Sequence, residues 1–395
     1  MRKRLLVLFL ILSLAVAALS LSFRGESFRA FGGDESVYLQ FTASLLKRGL
    51  SGYPALFQGY LSDRAMWVLP SPLRPGFIIA AYVWTLIFGN NFAALAFLSL
   101  CAYALFLCAS FYFSRKWLER GEAFLFTFLL AFSQLLLAMG RRALAESLLN
   151  LFSALALWLF FWLAQQRSFL RYALFIGVYG CAILIKETAF LLSVIFAAYL
   201  CARKIYFKKE VSARDFLAIS LLPFTLVAAV YWALGGWPYV FPTLNVILNS
   251  PAANPYAVLY GGGPWFRYLL DWMLLSPVTT LLGIGYIFSL AIRREKDELS
   301  GYWLLVLVLG LALLSLFTKN ARYLIFLETP IRLFAFFMLR DACRGLFKRH
   351  SSPALFLAVA FICVYDYSSF TGLFLGCGIY DPVSLNLLRA RSIIP

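Results

Sequence analysis

Asp34 and Glu35 form an acidic pair just beyond the first long apolar segment of the chain. Charge beside a bilayer is expensive, so such a pair has to be tethered, paired or used. Two compatible readings fit. The pair can give a helix an N-cap and an acidic first turn, stabilising it by about 1 kcal/mol. It can also hold a general base at the mouth of a membrane cavity. Arg74 stands in Pro72-Leu73-Arg74-Pro75-Gly76, where the prolines stiffen the backbone and fix the direction of the side chain. Such an arginine suits a lipid headgroup, or a specific phosphate clamp, because its planar fork matches phosphate oxygens. Arg141-Arg142-x-x-x-Glu146 and Lys186-Glu187 sit at the ends of apolar runs, and Lys319-Asn320-Ala321-Arg322-Tyr323 makes a further basic corner. Each reads either as an interface salt bridge or as part of a converging polar site. Glu328 and Arg332 are four apart inside an apolar run, the spacing of a helical ion pair or of a cavity lining.

The elements that must position these groups are membrane helices. Of 395 residues, 63% are hydrophobic, 18% aromatic and only 13% charged; soluble domains are about half apolar and a quarter charged. The net charge of +17 is spread over loops, so it reads as topology and lipid contact and not as nucleic-acid binding. Seven cysteines with no CxxC pair and a single histidine, His350, in a basic loop point away from a metal site, a disulfide framework or a histidine triad.

Charge-free apolar runs fall near 5–23, 75–89, 92–113, 123–139, 147–164, 172–185, 188–202, 216–234, 276–292, 299–318, 323–339 and 353–365. Basic clusters at 2–4, 115–120, 167–171, 203–209, 293–296 and 340–349 all fall in the cytoplasm if 5–23 is a retained anchor and 75–89 does not cross. This leaves about eleven spans, with the N-terminus inside. The chain then reads as one all-α polytopic domain over 1–395. Its outer segments include a long first loop, 24–91, with juxtamembrane helices, a Gly-, Pro- and aromatic-rich loop, 235–275, and a short tail, 366–395. The loop 235–275 reads as an irregular interfacial stretch or a mobile substrate cover. The first loop carries an amphipathic stretch, Val37-Tyr38, Phe41 and Leu45-Leu46 on one side, and Gln40, Ser44, Lys47 and Arg48 on the other. This topology brings the polar residues above to one membrane face, whereas a transporter more often carries its ionisable groups at mid-depth.

With these residues in view, the chain resembles the GT-C glycosyltransferases that use polyprenyl-phosphate sugars, the dolichyl-phosphate-mannose–protein mannosyltransferases and the aminoarabinose lipid A transferases. Gly33-Asp34-Glu35-Ser36-Val37-Tyr38 is similar to the family's Asp-Glu motif in its first outer loop. Leu73-Arg74-Pro75-Gly76, continuing to Phe88-Gly89-Asn90-Asn91, resembles its Lys-Pro-Pro segment and the helix that follows. Arg142-Ala143-Leu144-Ala145-Glu146 resembles an Arg…Asp motif, Ala182-Ile183-Leu184-Ile185-Lys186-Glu187 a Leu-Leu-Thr-Lys-Gly segment, and Arg322-Tyr323 with Pro330 an Arg-Tyr…Pro run. The chain departs from the pattern with arginine for lysine at Arg74, glutamate for aspartate at Glu146, and glutamate for glycine at Glu187, which sets an acid beside the phosphate lysine.

The resemblance implies a GT-C fold and an inverting, metal-independent sugar transfer on the outer face of the cytoplasmic membrane. Asp34, with Glu35, would be catalytic. Arg74, Lys186, Arg322 and Tyr323 would bind the donor phosphate, and Arg142, Glu146, Glu187 and Asn320 would support them. The implied partners are a polyprenyl- or dolichyl-phosphate sugar, membrane lipid, and an acceptor hydroxyl on protein, lipid or glycan; no cofactor is implied. Two other activities fit the same charge map less closely. One is an oligosaccharide ligase or polymerase using a polyprenyl diphosphate. The other is a flippase for lipid-linked sugars.

Overall fold

The computed structural model describes residues 33–249, 255–293 and 297–394; the first apolar run, 5–23, lies outside them. Among the described residues the regular structure is helical, because backbone in lipid has to satisfy its own N–H and C=O groups within each segment. In chain order the helices are α1 (Asp34–Arg48), α2 (Tyr53–Ser62), α3 (Pro75–Phe88), α4 (Phe92–Ser114), α5 (Arg120–Ala131), α6 (Gln134–Gly140), α7 (Glu146–Gln165), α8 (Phe169–Ile185), α9 (Leu192–Ile205), α10 (Ala213–Ile219), α11 (Leu221–Ala233), α12 (Trp237–Asn249), α13 (Pro255–Gly261), α14 (Arg267–Leu275), α15 (Pro277–Arg293), α16 (Glu298–Leu314), α17 (Glu328–Phe347), α18 (Ser351–Phe370) and α19 (Ser384–Ala390).

Among these residues five segments are long and apolar enough to cross a membrane, Phe92–Ser114, Glu146–Gln165, Glu187–Ile205, Ala213–Ala233 and Ser351–Gly376; the bent pair α5–α6 makes a sixth if counted as one span. Helices α8, α15 and α16 are apolar but shorter. Helix α3 has 14 residues, about 21 Å of helix against a hydrocarbon core of ~30 Å, which is short for a crossing. Helix α17 has 20 residues but carries Glu328, Arg332, Arg340, Asp341 and Arg344.

Two stretches differ from the sequence reading. The run 123–139 is not one straight helix: α5 and α6 meet at 64°, because Ser133 leaves the helical conformation and its hydroxyl accepts from the N–H of Leu136 to start a new helix. The loop 235–275 is largely helical, as α12, α13 and α14. Pro238 and Pro255 fall in first turns, where the missing N–H has no intrahelical partner to lose, while Pro242 lies inside α12.

The described residues divide into two compact units, one drawn from residues 33–102 and 142–262, the other from 103–141 and 263–394. In the first, α8 is the hub: α7, α3 and α11 pack on it, α1 packs on α3, and α12 packs on α2. In the second, α17 is the hub, contacting α15, α16, α18 and α5, while α14 packs on α15 and α19.

Candidate active site

The candidate site lies in the first unit, where α1, α3, α7 and α8 begin or end. Helix α1 starts at Asp34, with Gly33 in the N-cap position and Asp34 and Glu35 in an acidic first turn. Negative charge there complements the exposed N–H groups of the helix start. The helix is amphipathic as read: Val37, Tyr38, Phe41 and Leu45 are buried, while Gln40, Lys47 and Arg48 are exposed. Leu46 falls on the exposed side, since it lies about 100° around the helix from Leu45. Thr42 and Asn90 share a hydrogen bond of 2.6 Å, which fixes α1 to the turn that ends α3.

Arg74 is held by its backbone before its side chain is considered. The Tyr53 hydroxyl donates to the Pro72 carbonyl at 2.7 Å and the Tyr231 hydroxyl to the Leu73 carbonyl at 2.9 Å. Gly76 then brings α3 against the end of α8: a Cβ there would stand 2.9 Å from the Ile185 nitrogen. Glycine is what permits this approach, and it sets Arg74 beside the Lys186-Glu187 corner.

The polar residues pair across motifs. Arg74 grips Glu187 with two bonds, Nε to Oε2 at 2.9 Å and Nη2 to Oε1 at 2.7 Å, and its Nη1 donates to the Tyr38 hydroxyl at 2.7 Å. Arg142 Nε donates to Glu35 Oε1 at 3.0 Å, and the Ala143 N–H reaches the same oxygen at 3.2 Å. Lys186 Nζ donates to Glu146 Oε1 at 2.9 Å. Three cations and three carboxylates thus interlock four elements distant in sequence, and Asp34 stands half-buried beside them. The sequence spacing suggests Arg142–Glu146 and Lys186–Glu187 as interface pairs; the structure also joins each of these motifs to another element.

The pairs differ in access. Lys186 and Glu146 are each 3% exposed, whereas Arg74 is 13% and Glu187 24% exposed. The charge on Arg74 is secure: burial opposes it, but Glu187 and the Tyr38 oxygen more than offset burial and hold the guanidinium ionised. Tyr38 and Tyr60 stay neutral. Burial raises both phenols, Tyr60 to about 12, against the opposing pull of Arg74. Tyr38 also feels the negative charges of Glu146 and Asp34, which ties Asp34 electrostatically to this cluster.

Asn320, Arg322 and Tyr323 belong to the second unit. Asn320 caps the short helix Ala321–Leu327 by accepting from the Arg322 N–H at 3.1 Å, and its amide donates to Asp381 at 2.6 Å. Arg322 lies over the Tyr323 ring at 5.7 Å. Glu328 and Arg332 form the expected pair, Nε to Oε2 at 2.9 Å, inside a larger knot. Arg332 also meets Asp366 at 2.8 Å and the Leu129 carbonyl at 3.0 Å, while Glu328 accepts from Ser133 and from Trp272 Nε1. With Arg332 fully buried and its donors occupied, this cluster is a packing element. Sequence reasoning missed Asp366, although a lone carboxylate within an apolar helix was a signal, and it missed Tyr38 as the third contact of Arg74. Among the described residues no group of three or more His, Cys, Asp or Glu converges to hold a metal.

Residues 71–232, which carry Arg74, Arg142, Glu146, Lys186 and Glu187, match the family model described as dolichyl-phosphate-mannose-protein mannosyltransferase. No curated protein sequence matches the chain. Among solved structures, ArnT from Cupriavidus metallidurans bound to undecaprenyl phosphate matches with a TM-score of 0.59 at 16% identity, over 100% of this chain and 74% of that one. The apo form of ArnT matches with a TM-score of 0.57 at 12% identity, over 98% and 85%. The oligosaccharyltransferase AglB from Archaeoglobus fulgidus, solved with an inhibitory peptide and a dolichol-phosphate, matches with a TM-score of 0.59 at 13% identity. That match covers 93% of this chain but only 56% of AglB, so the chain spans about half the length of that protein. The likeness is one of fold. The chain shares the GT-C fold of these proteins, and it is an all-α polytopic membrane protein.

Proposed function

We propose that this protein is an inverting glycosyltransferase that moves one sugar from a polyprenyl- or dolichyl-phosphate donor to an acceptor hydroxyl on the outer face of the cytoplasmic membrane. The observation that carries the reading is the crossed ion-pair cluster, which sets Arg74 and Lys186, on a rigid frame, beside the carboxylate end of α1. The guanidinium of Arg74 and the neutral phenol of Tyr38 supply donors to the phosphodiester. Asp34 takes the acceptor's proton as its oxygen attacks the anomeric carbon. The bond from that carbon to the phosphate oxygen breaks, and the electron pair leaves with polyprenyl phosphate. That leaving group needs no general acid, only cations where negative charge develops. Glu35, buried and engaged by Arg142 and the Ala143 N–H, orients the first turn of α1 and so aims Asp34. The proposed reaction draws on the chain's own side chains and calls for no metal.

The test is transfer of labelled sugar from a panel of undecaprenyl-phosphate sugars by membranes carrying wild type or Asp34→Asn. The variant is expected to lose about two to four orders of magnitude in rate. Wild-type turnover by Asp34→Asn removes Asp34 from the chemistry. The match to the oligosaccharyltransferase AglB favours one second reading, transfer of an oligosaccharide, for which a diphosphate-linked donor is the alternative to a monophosphate one. The same panel extended to undecaprenyl-diphosphate sugars separates the two. The balance of three carboxylates against three cations favours the donor of lower charge.

A further inference from the structure

The residue after Lys186 is where this chain departs most from the family it resembles, and it is also where the cluster is most accessible. Glu187 takes Nε and Nη2 of Arg74 in a bidentate pair, the geometry in which a guanidinium binds a phosphate. The other two pairs are buried, with every member at 9% exposure or less, while Arg74–Glu187 is open enough for a ligand to reach. A lipid phosphate seeking Arg74 therefore meets an occupied clamp. The Tyr38 contact is a separate one, on Nη1, so it holds the arginine in place whether or not Glu187 is engaged.

The chemistry of the proposed reaction gives this occupied clamp a purpose. The donor is a phosphodiester with one negative charge. The product is a phosphate monoester, whose second ionisation lies near pH 6, so at neutral pH it carries nearly two. Uncompensated cations would hold product more tightly than donor. We infer that Glu187 is a product-release residue: an internal carboxylate that gives up Arg74 to the incoming phosphodiester and reclaims it as polyprenyl phosphate departs. Only ion pairs exchange, Arg74–Glu187 for Arg74–phosphate and back. A ligand that must first displace Glu187 binds weaker by the fraction of time that Arg74 is free. The departing dianion meets a negative neighbour that repels it.

This inference rests on the donor site proposed above, and the experiment separates the two. The purified protein in nanodiscs is titrated with undecaprenyl phosphate, the dianionic monoester, and with its methyl ester, a singly charged diester. The proteins compared are wild type, Glu187→Gln, Glu187→Asp and Arg74→Gln. Glu187→Gln is expected to bind the monoester about tenfold more tightly and to gain distinctly less for the diester, with lower kcat and stronger product inhibition in the transfer assay. Glu187→Asp, which keeps the charge, is expected to behave like wild type. Monoester binding by Glu187→Gln that is unchanged, or weakened as the loss of a mere support for Arg74 would weaken it, overturns the inference. So does an equal gain for both probes. If Arg74→Gln loses both probes while Glu187→Gln changes neither, only the inference falls. If wild type binds neither probe, the donor site falls and takes the inference with it.

Discussion

At the residue scale, the candidate site is an exercise in partner choice. The charged residues were legible in the sequence because charge is sparse in this chain and stands out at the ends of apolar runs. Their pairing was not legible. Spacing pairs neighbours on one helix, and that logic holds for Glu328 and Arg332, which sit on a single helix. It fails at the ends of α7 and α8, where Glu146 and Glu187 turn to cations contributed by other elements. Asp271 shows how strongly burial decides in this molecule. Its carboxyl is fully buried, and burial pushes it up to about 6 against the opposing pull of the Ser384 hydroxyl and Arg267. The folded protein therefore holds a proton that the unfolded chain releases near its ordinary value of 3.8. Between these values the native state binds the more protons, so stability falls as pH rises from about 4 to about 6, and a loss on the order of 3 kcal/mol is complete above that. Asp271→Asn is expected to flatten the pH dependence of thermal unfolding in detergent between pH 4 and 7. A variant whose melting still falls through that window as steeply as wild type contradicts this.

At the scale of elements, hydropathy located the helices well, and polar detail decided how they break. Ser133 turns one expected span into two helices, a capping effect worth about 1 kcal/mol that no average over a window reveals. The Gly- and Pro-rich stretch before α15 read as irregular, yet Pro238 and Pro255 occupy the first turns of α12 and α13, where helices tolerate them, and α12 continues through Pro242. Packing between elements was invisible in one sequence, and Gly76 is the instance that matters most for the site. A methyl group there meets the backbone of Leu184 and Ile185 at 2.9 Å, and backbone cannot rotate aside as a side chain can. Gly76→Ala is expected to push α3 off the end of α8, destabilising the protein by about 1–3 kcal/mol and separating Arg74 from Glu187. The loss of transfer should exceed what the lower melting temperature explains, because the substitution shifts the clamp itself. Full activity in a Gly76→Ala protein would mean that this contact does not set the site.

At the scale of the molecule, fold class was the most legible feature, since composition alone demands membrane helices and the order of motifs resembles the GT-C pattern. The division into two compact units was not legible, because each unit is assembled from segments far apart in the chain. Residues 33–102 meet 142–262 to build the cluster that joins Glu35 to Arg142 and Arg74 to Glu187, and no local pattern announces that return. The proposed function requires that this cluster receive the phosphate of a polyprenyl carrier. A cryo-EM map of the protein in nanodiscs saturated with undecaprenyl phosphate tests it most directly. The predicted result is phosphate density within hydrogen-bonding reach of Arg74, with Glu187 turned away from it. Phosphate density elsewhere, with Arg74 and Glu187 still closed on each other, would contradict it.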